Sequence, residues 1–214
     1  MANCADCKGK PCSRGVTAGR LPDCPCGEYS KEEMLGLYSE EDMRMATESA
    51  KVEAEGYGKN TRVEEIMDYA WKLGYKKIGV AFCVGLSADA ATFAAILRSN
   101  GFEVCSACCK NCSIPKQEIG ITQEQFAHPQ FDFEAMCNPV GQAKILDDEN
   151  CDLVVLLGLC VGHDTLFIRH IKAPCTVLAV KDRVLAHNPI GALYTANTFL
   201  NRVYSFIKNK YGKV

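Results

Sequence analysis

The sequence lacks any run of about 18 uncharged apolar residues, so it offers no candidate membrane-spanning helix. It lacks a basic excess: the formal net charge is -2, and Lys and Arg are scattered. Nucleic acid is therefore not an expected partner. It has no G-x-G-x-x-G and no P-loop, so nucleotide binding is not supported. The start, Met1-Ala2-Asn3-Cys4, shows no basic-then-apolar leader, which predicts a cytoplasmic chain. Against these absences stand 14 cysteines in 214 residues. A reducing compartment disfavours disulfides, which leaves metal binding or thiol chemistry. Some of the cysteines should simply pack as small core hydrophobes.

The run Cys105-Ser106-Ala107-Cys108-Cys109-Lys110-Asn111-Cys112 is the densest group of thiols in the second half of the chain. It follows a short strand predicted at 102–105. Other apolar stretches read as strands at 78–82, 153–159 and 175–180, and the first and second of these lead directly into Cys83 and Cys160. Helices are expected at 88–99, 139–148, 164–171 and 189–208, with a long loop at 106–136. This alternation predicts an α/β fold: a parallel sheet of about four strands, order 2-1-3-4, with helices on both faces. In such a sheet the strand C-termini share one edge, and ligands bind there.

Residues 1–29 form a separate cysteine-rich segment. It holds Cys4, Cys7, Cys12, Cys24 and Cys26 among glycines and prolines, with almost nothing to build a core. A metal centre is the expected tie. The ligand spacing is C-x2-C-x4-C-x13-C if Cys26 closes it, and x11 if Cys24 does. Residues 30–74 read as helices that cover the core, with capping boxes at Ser30/Glu33 and Thr61/Glu64, a cap at Ser39 and a stop at Gly74. Trp71 and Tyr69 are expected on or beside the apolar stripe of the last of them. Residues 75–214 make the α/β domain.

Three short motifs are expected at the crevice. Cys137-Asn138-Pro139 and His187-Asn188-Pro189 each put an Asn cap and a first-turn Pro behind a Cys or His. The helix dipole there favours thiolate over thiol and a neutral imidazole. Asn-Pro also starts helices whatever precedes it. Gly158-Leu159-Cys160-Val161-Gly162-His163-Asp164 permits a tight strand-to-helix turn that exposes Cys160, and Ser87 is the expected cap of the helix after Cys83. Cys151 and Cys175, at strand starts, are expected to pack, and Cys105 to lie inside the sheet. His128 and His170 read as surface or satisfied histidines. Sequence does not choose among Cys108, Cys109 and Cys112.

The stretch Cys4-Ala5-Asp6-Cys7-Lys8-Gly9-Lys10-Pro11-Cys12, followed by Cys26-Gly27, resembles the N-terminal cubane-binding segment of nickel carbon monoxide dehydrogenases. The resemblance is confined to that segment, and Cys24 departs from it as a fifth thiol. The chain as a whole resembles a family of cysteine-rich, predicted metal-binding proteins of anaerobic bacteria and archaea. That implies metal and nothing about substrate.

Two centres are therefore expected. A 4Fe-4S cluster is assigned to Cys4, Cys7, Cys12 and Cys26, with zinc as the alternative. A second iron–sulfur or other thiolate-bound centre is assigned to Cys83, Cys109, Cys137 and Cys160, with Cys108, Cys112, His163 and His187 in reserve. Together they suggest a small redox or cluster-dependent enzyme with an outer relay and an inner centre, meeting a redox partner or small-molecule substrate. The alternatives are a metal-handling or sensing protein, or a thiol enzyme with a structural zinc. Oligomeric state is not legible.

Overall fold

The computed structural model describes residues 3–16 and 18–212. Residues 1 and 2, part of the start weighed as a leader, and residue 17, within the cysteine-rich segment, lie outside them. Contacts divide the chain into two units, Met1–Glu55 and Gly56–Val214. Among the described residues no helix is long and apolar enough to cross a membrane.

The first unit opens with short 3-10 turns at Cys4–Asp6, Pro11–Arg14 and Pro25–Gly27. Helix α1 (Lys31–Leu35) starts at the predicted Ser30/Glu33 capping box. Helix α2 (Glu40–Gly56) starts at Ser39, whose hydroxyl accepts from the Asp42 amide.

In the second unit, helix α3 (Arg62–Lys72) opens on the Thr61/Glu64 box and stops at Gly74, where φ is +70°. Strand β1 (Lys77–Phe82), helix α4 (Ser87–Ser99), strand β2 (Glu103–Cys108), helix α5 (Pro139–Asp148), strand β3 (Leu153–Leu159), helix α6 (His163–His170) and strand β4 (Cys175–Val180) follow. All the pairings are parallel, in the order β2-β1-β3-β4, as the alternation predicted.

Two apolar layers sandwich this sheet. Ile66 and Ala70 of α3 and Phe93 and Leu97 of α4 pack on Ile78, Val80, Val155 and Leu157. Ala143 and Leu146 of α5 and Phe167 of α6 pack on Ala81, Val154 and Leu156. Leu97, Leu146 and Phe167 are fully buried. Each such side chain contributes about 1.5–3 kcal/mol relative to exposure. Among the described residues Gln142 is the one polar residue in the buried set, and its amide donates to the Phe82 and Ala107 carbonyls at 3.1 and 2.7 Å. It ties α5 to the C-terminal ends of β1 and β2.

Several expectations need correcting. β2 does not end at Cys105; small residues let it pair with β1 through Phe82↔Cys108. Ser87 caps nothing: a 3-10 turn at Val84–Leu86 precedes α4, and the Ser87 hydroxyl donates back to the Val84 carbonyl at 2.6 Å. Trp71 is exposed, with Lys76 Nζ 5.0 Å from its ring centre. The helix expected at 189–208 is broken into α7 (Ile190–Tyr194), a 3-10 stretch at Asn201–Ser205 and α8 (Phe206–Tyr211). The Thr195 and Thr198 hydroxyls donate to the Gly191 and Thr195 carbonyls there, competing with the helix ladder. The helical spacing of Ile190, Leu193, Tyr194, Leu200, Val203 and Ile207 suggested one helix, but of these only Leu200 is buried. Periodicity without burial does not hold a long helix.

The long loop is itself ordered. Its two halves meet at the Pro115↔Ala135 bridge, and Lys116 and Glu134 form an ion pair at 2.5 Å. Phe126 is buried within it.

β3 carries a bulge that aims the turn after it. Its register against β4 shifts on both sides of Leu157, and Gly158 has φ +71°. A Cβ at Gly158 would run into the Leu86 side chain. Gly158→Ala should therefore destabilise the second unit by about 2–4 kcal/mol, from left-handed backbone strain and overpacking together. Chemical denaturation measures this, and a loss below about 0.5 kcal/mol would show that the bulge is not needed.

Candidate metal centres

In the first unit, one pocket is lined by all five N-terminal cysteines: Cys4, Cys7, Cys12, Cys24 and Cys26. Lys10, Arg20 and Asp23 also line it. Each thiol is carried on or beside a tight turn. The Cys7 amide donates to the Cys4 carbonyl, Gly15 to Cys12 and Gly27 to Cys24. Lys10 has φ +40° and donates its ammonium to the Cys4 and Cys7 carbonyls, both at 2.5 Å. Arg20 reaches the Cys26 carbonyl at 3.3 Å. Cys24 stands next to Cys26 at the pocket and holds the Cys26 thiol above its usual range. Both candidates for the fourth ligand thus stand at the pocket. Pro11 is the only buried residue among those described from 3 to 29.

The second constellation lies at the C-terminal edge of the sheet. β1 delivers Cys83, whose amide donates to the Leu157 carbonyl of β3 at 3.1 Å. β2 delivers Cys109, whose amide donates to the Phe82 carbonyl at 2.9 Å. Cys137 precedes α5, where the Asn138 side chain caps the Gly141 amide at 2.9 Å, as predicted. The Asn138 amide donates to the Cys109 carbonyl at 2.7 Å, and Asn111 donates to the Cys108 and Asn138 carbonyls. These bonds pin the segment after β2 to the start of α5.

The side chains form a chain of contacts. Cys109 interacts with Cys137 and with Cys83, and Cys137 also interacts with His163 at the start of α6. The Val84 amide donates to Cys109 Sγ at 3.3 Å. Cys109 is pushed far up by its Cys137 and Cys83 contacts and by burial. Cys83 is drawn well down by Cys109, by the Gly85 amide and by Lys181, against the opposing effect of burial. Cys137 is drawn down by Cys109 and then His163, and His163 is raised in turn by Cys137. The middle sulfur thus favours the thiol and its two neighbours the thiolate.

Cys160 borders this chain rather than joining it. Arg183 donates to Cys160 Sγ at 3.3 Å, and the same guanidinium senses the charge of Cys83 and Cys137. Cys108 is half-buried at the end of β2, and Cys112 is exposed with φ +61°. His187 has φ +63°, and its Nδ1 accepts from the Asp182 amide at 3.1 Å. The cap expected from Asn188 is absent: α7 begins without a side-chain cap. Short side chain-to-backbone bonds hold His187 in its own turn. Among the described residues, no three His, Cys, Asp or Glu groups are already gathered as a metal ligand set. The sulfur contacts are pairwise.

Sequence reasoning missed Lys181, Arg183 and Gln142, and gave Lys110 too little weight. Lys181 and Arg183 follow β4 and supply positive charge to the thiols. Gln142 was visible as a polar residue on the apolar face of a predicted helix. Lys110, within the thiol-rich run, could offset thiolate charge or simply be exposed; it is half-buried, donates to the Ala135 carbonyl at 2.5 Å and faces Cys137.

The comparisons with known proteins name no activity. An uncharacterised protein of Methanocaldococcus jannaschii (MJ0455) is 45% identical over 187 residues, covering 87% of this chain and 88% of that protein. A family model described as a protein of unknown function (DUF1847) matches residues 24–178. That span contains Cys24, Cys26 and the chain from Cys83 to His163; Cys4, Cys7 and Cys12 precede it, and Lys181 and Arg183 follow it. The chain belongs to this DUF1847 family.

Proposed function

We propose that the chain is an iron–sulfur protein with two thiolate centres, acting in redox or cluster-dependent chemistry. The observation that carries this is the N-terminal pocket. Five thiols converge on it within a segment where Pro11 alone is buried. Such a segment has little apolar burial to offset its ordering entropy, and a ligated metal supplies the missing free energy. The donors fit: Cys4, Cys7 and Cys12 with Cys26, or Cys24, make the four thiolates that a 4Fe-4S cluster takes. The resemblance to the cubane-binding segment of carbon monoxide dehydrogenases favours iron over zinc. Lys10 and Arg20, both lining the pocket, would offset the negative charge of four thiolates.

The inner centre is assigned to Cys83, Cys109 and Cys137, completed by His163 or Cys160. Thiolates held side by side repel, and a bound cation relieves that cost. Lys181, Arg183 and Lys110 surround the set with positive charge. A metal bound there would supply one-electron or Lewis-acid chemistry at the sheet edge where ligands of such folds bind.

A second reading is favoured by the electrostatic coupling of Cys137, at the N-terminus of α5, to His163. Cys137 would be a thiol nucleophile, His163 its proton acceptor, and the N-terminal pocket a structural zinc site.

Metal and acid-labile sulfide analysis after anaerobic purification separates these. The first reading expects iron, sulfide and broad absorption near about 400 nm. Colourless protein holding only zinc would overturn it and favour the second. Cys7→Ser or Cys12→Ser should remove the N-terminal iron and leave residues 3–29 open to protease while the α/β domain stays folded; unchanged protease resistance would show that metal does not organise that segment. Cys83→Ser and Cys137→Ser should each lower total iron with the N-terminal centre intact, and full retention of iron in both would remove the inner centre from the proposal.

A further inference from the structure

Cys105 and Cys151, expected only to fill the core, stand together. Their sulfurs are 2.9 Å apart. Cys105 lies in the edge strand β2, paired with Gly79 of β1. A Cβ at Gly79 would come within 2.9 Å of Cys151 Sγ and 3.0 Å of Val154 Cγ2. The missing side chain is what lets the Cys151 sulfur reach in over β1 towards Cys105. Cys151 is buried at 7% exposure, whereas Cys105 is half-buried and the more accessible of the two. Lys77 places its positive charge near both sulfurs. The pair sits below the strand ends that carry Cys83 and Cys109, and no role in the candidate centres uses it.

We propose that Cys105 and Cys151 are a thiol-modification site that closes to a disulfide under hydrogen peroxide. The Cys105 sulfur, as thiolate, attacks one peroxide oxygen. The O–O bond breaks, and the departing hydroxide takes a proton and leaves as water. Cys105 is then a sulfenic acid. The Cys151 sulfur attacks it, the S–S bond forms, the S–O bond breaks, and hydroxide leaves with the Cys151 proton as a second water. Two thiols and one peroxide become one disulfide and two waters, with two electrons passed from sulfur to oxygen. The sulfurs need to close by only about 1 Å to reach bonding distance.

The bond would join the edge strand to the turn between α5 and β3. β2 leads to Cys109, and α5 begins just after Cys137. The disulfide would therefore staple together the two elements whose far ends hold the thiols of the inner constellation. It does not depend on metal being bound there.

The test is disulfide mapping of the full-length chain. The protein is fully reduced without oxygen, treated with one equivalent of hydrogen peroxide, alkylated, digested and analysed by mass spectrometry. The expected product is a peptide pair joined through Cys105 and Cys151, formed in folded protein, reversed by dithiothreitol and lost in Cys151→Ala. In that variant, dimedone should trap Cys105 as sulfenic acid. Free, alkylated Cys105 and Cys151 beside other oxidised thiols would overturn the proposal. So would a link that appears only in denaturant. Iron content measured on the same samples keeps failure here separate from failure of the metal proposal.

Discussion

The inner site depends on the parallel register of β1 between β2 and β3. The Cys109 amide bonded to the Phe82 carbonyl sets Cys109 beside Cys83, and the Cys83 amide bonded to Leu157 continues that registration into β3. A slip of one residue would turn a sulfur to the opposite face of the sheet. Gln142 guards against it from within the core, bonding to carbonyls of both β1 and β2 at the ends that matter. Asn138 adds a third restraint, capping α5 with its side chain and holding Cys109 with its backbone. Helix start, strand end and thiol position are thus one hydrogen-bonded unit.

The two thiol groups rest on opposite kinds of support. The inner one is built on a sandwich whose central strand, β3, is buried along its whole length. Its sulfurs are carried on strand ends and a helix start, and the positive charges of Lys181, Arg183 and Lys110 act on them. The N-terminal group has turns, a lysine tied to carbonyl oxygens and a pocket, with scarcely any apolar burial. Loss of a ligand should therefore be felt as lost order at the N-terminus and as lost chemistry at the sheet edge.

Much of this was legible from the chain. Buried parallel strands announce themselves as short apolar runs, so β1, β3 and β4 and the sheet order followed from pattern and handedness. The capping boxes at Ser30 and Thr61 carry a local mechanism and survived intact. The failures share a cause, which is that tertiary context outweighed local pattern. The end of β2 was hidden because Ser106, Ala107 and Cys108 look like loop residues until β1 pairs with them. The last helix had the right period, but most of its apolar positions are exposed, with Leu200 the buried exception. The Cys105–Cys151 contact and the role of Gly79 arise across strands, where spacing along the chain is silent. Asn138 and Asn188 sit in the same X-Asn-Pro motif, yet Asn138 caps a helix and Asn188 does not. One is pinned to β2 and the other stands in a loop, which is the difference between a motif and a site.

X-ray absorption at the iron and zinc edges of the anaerobically purified full-length chain tests the central claim most directly. It reports the atoms that touch the metal, whatever the reaction is. The account predicts an iron edge with a first shell dominated by sulfur and iron–iron scattering from a cluster, lost in large part when the N-terminal thiols are replaced. A chain with no iron edge, or with iron surrounded by oxygen and nitrogen alone, would contradict it.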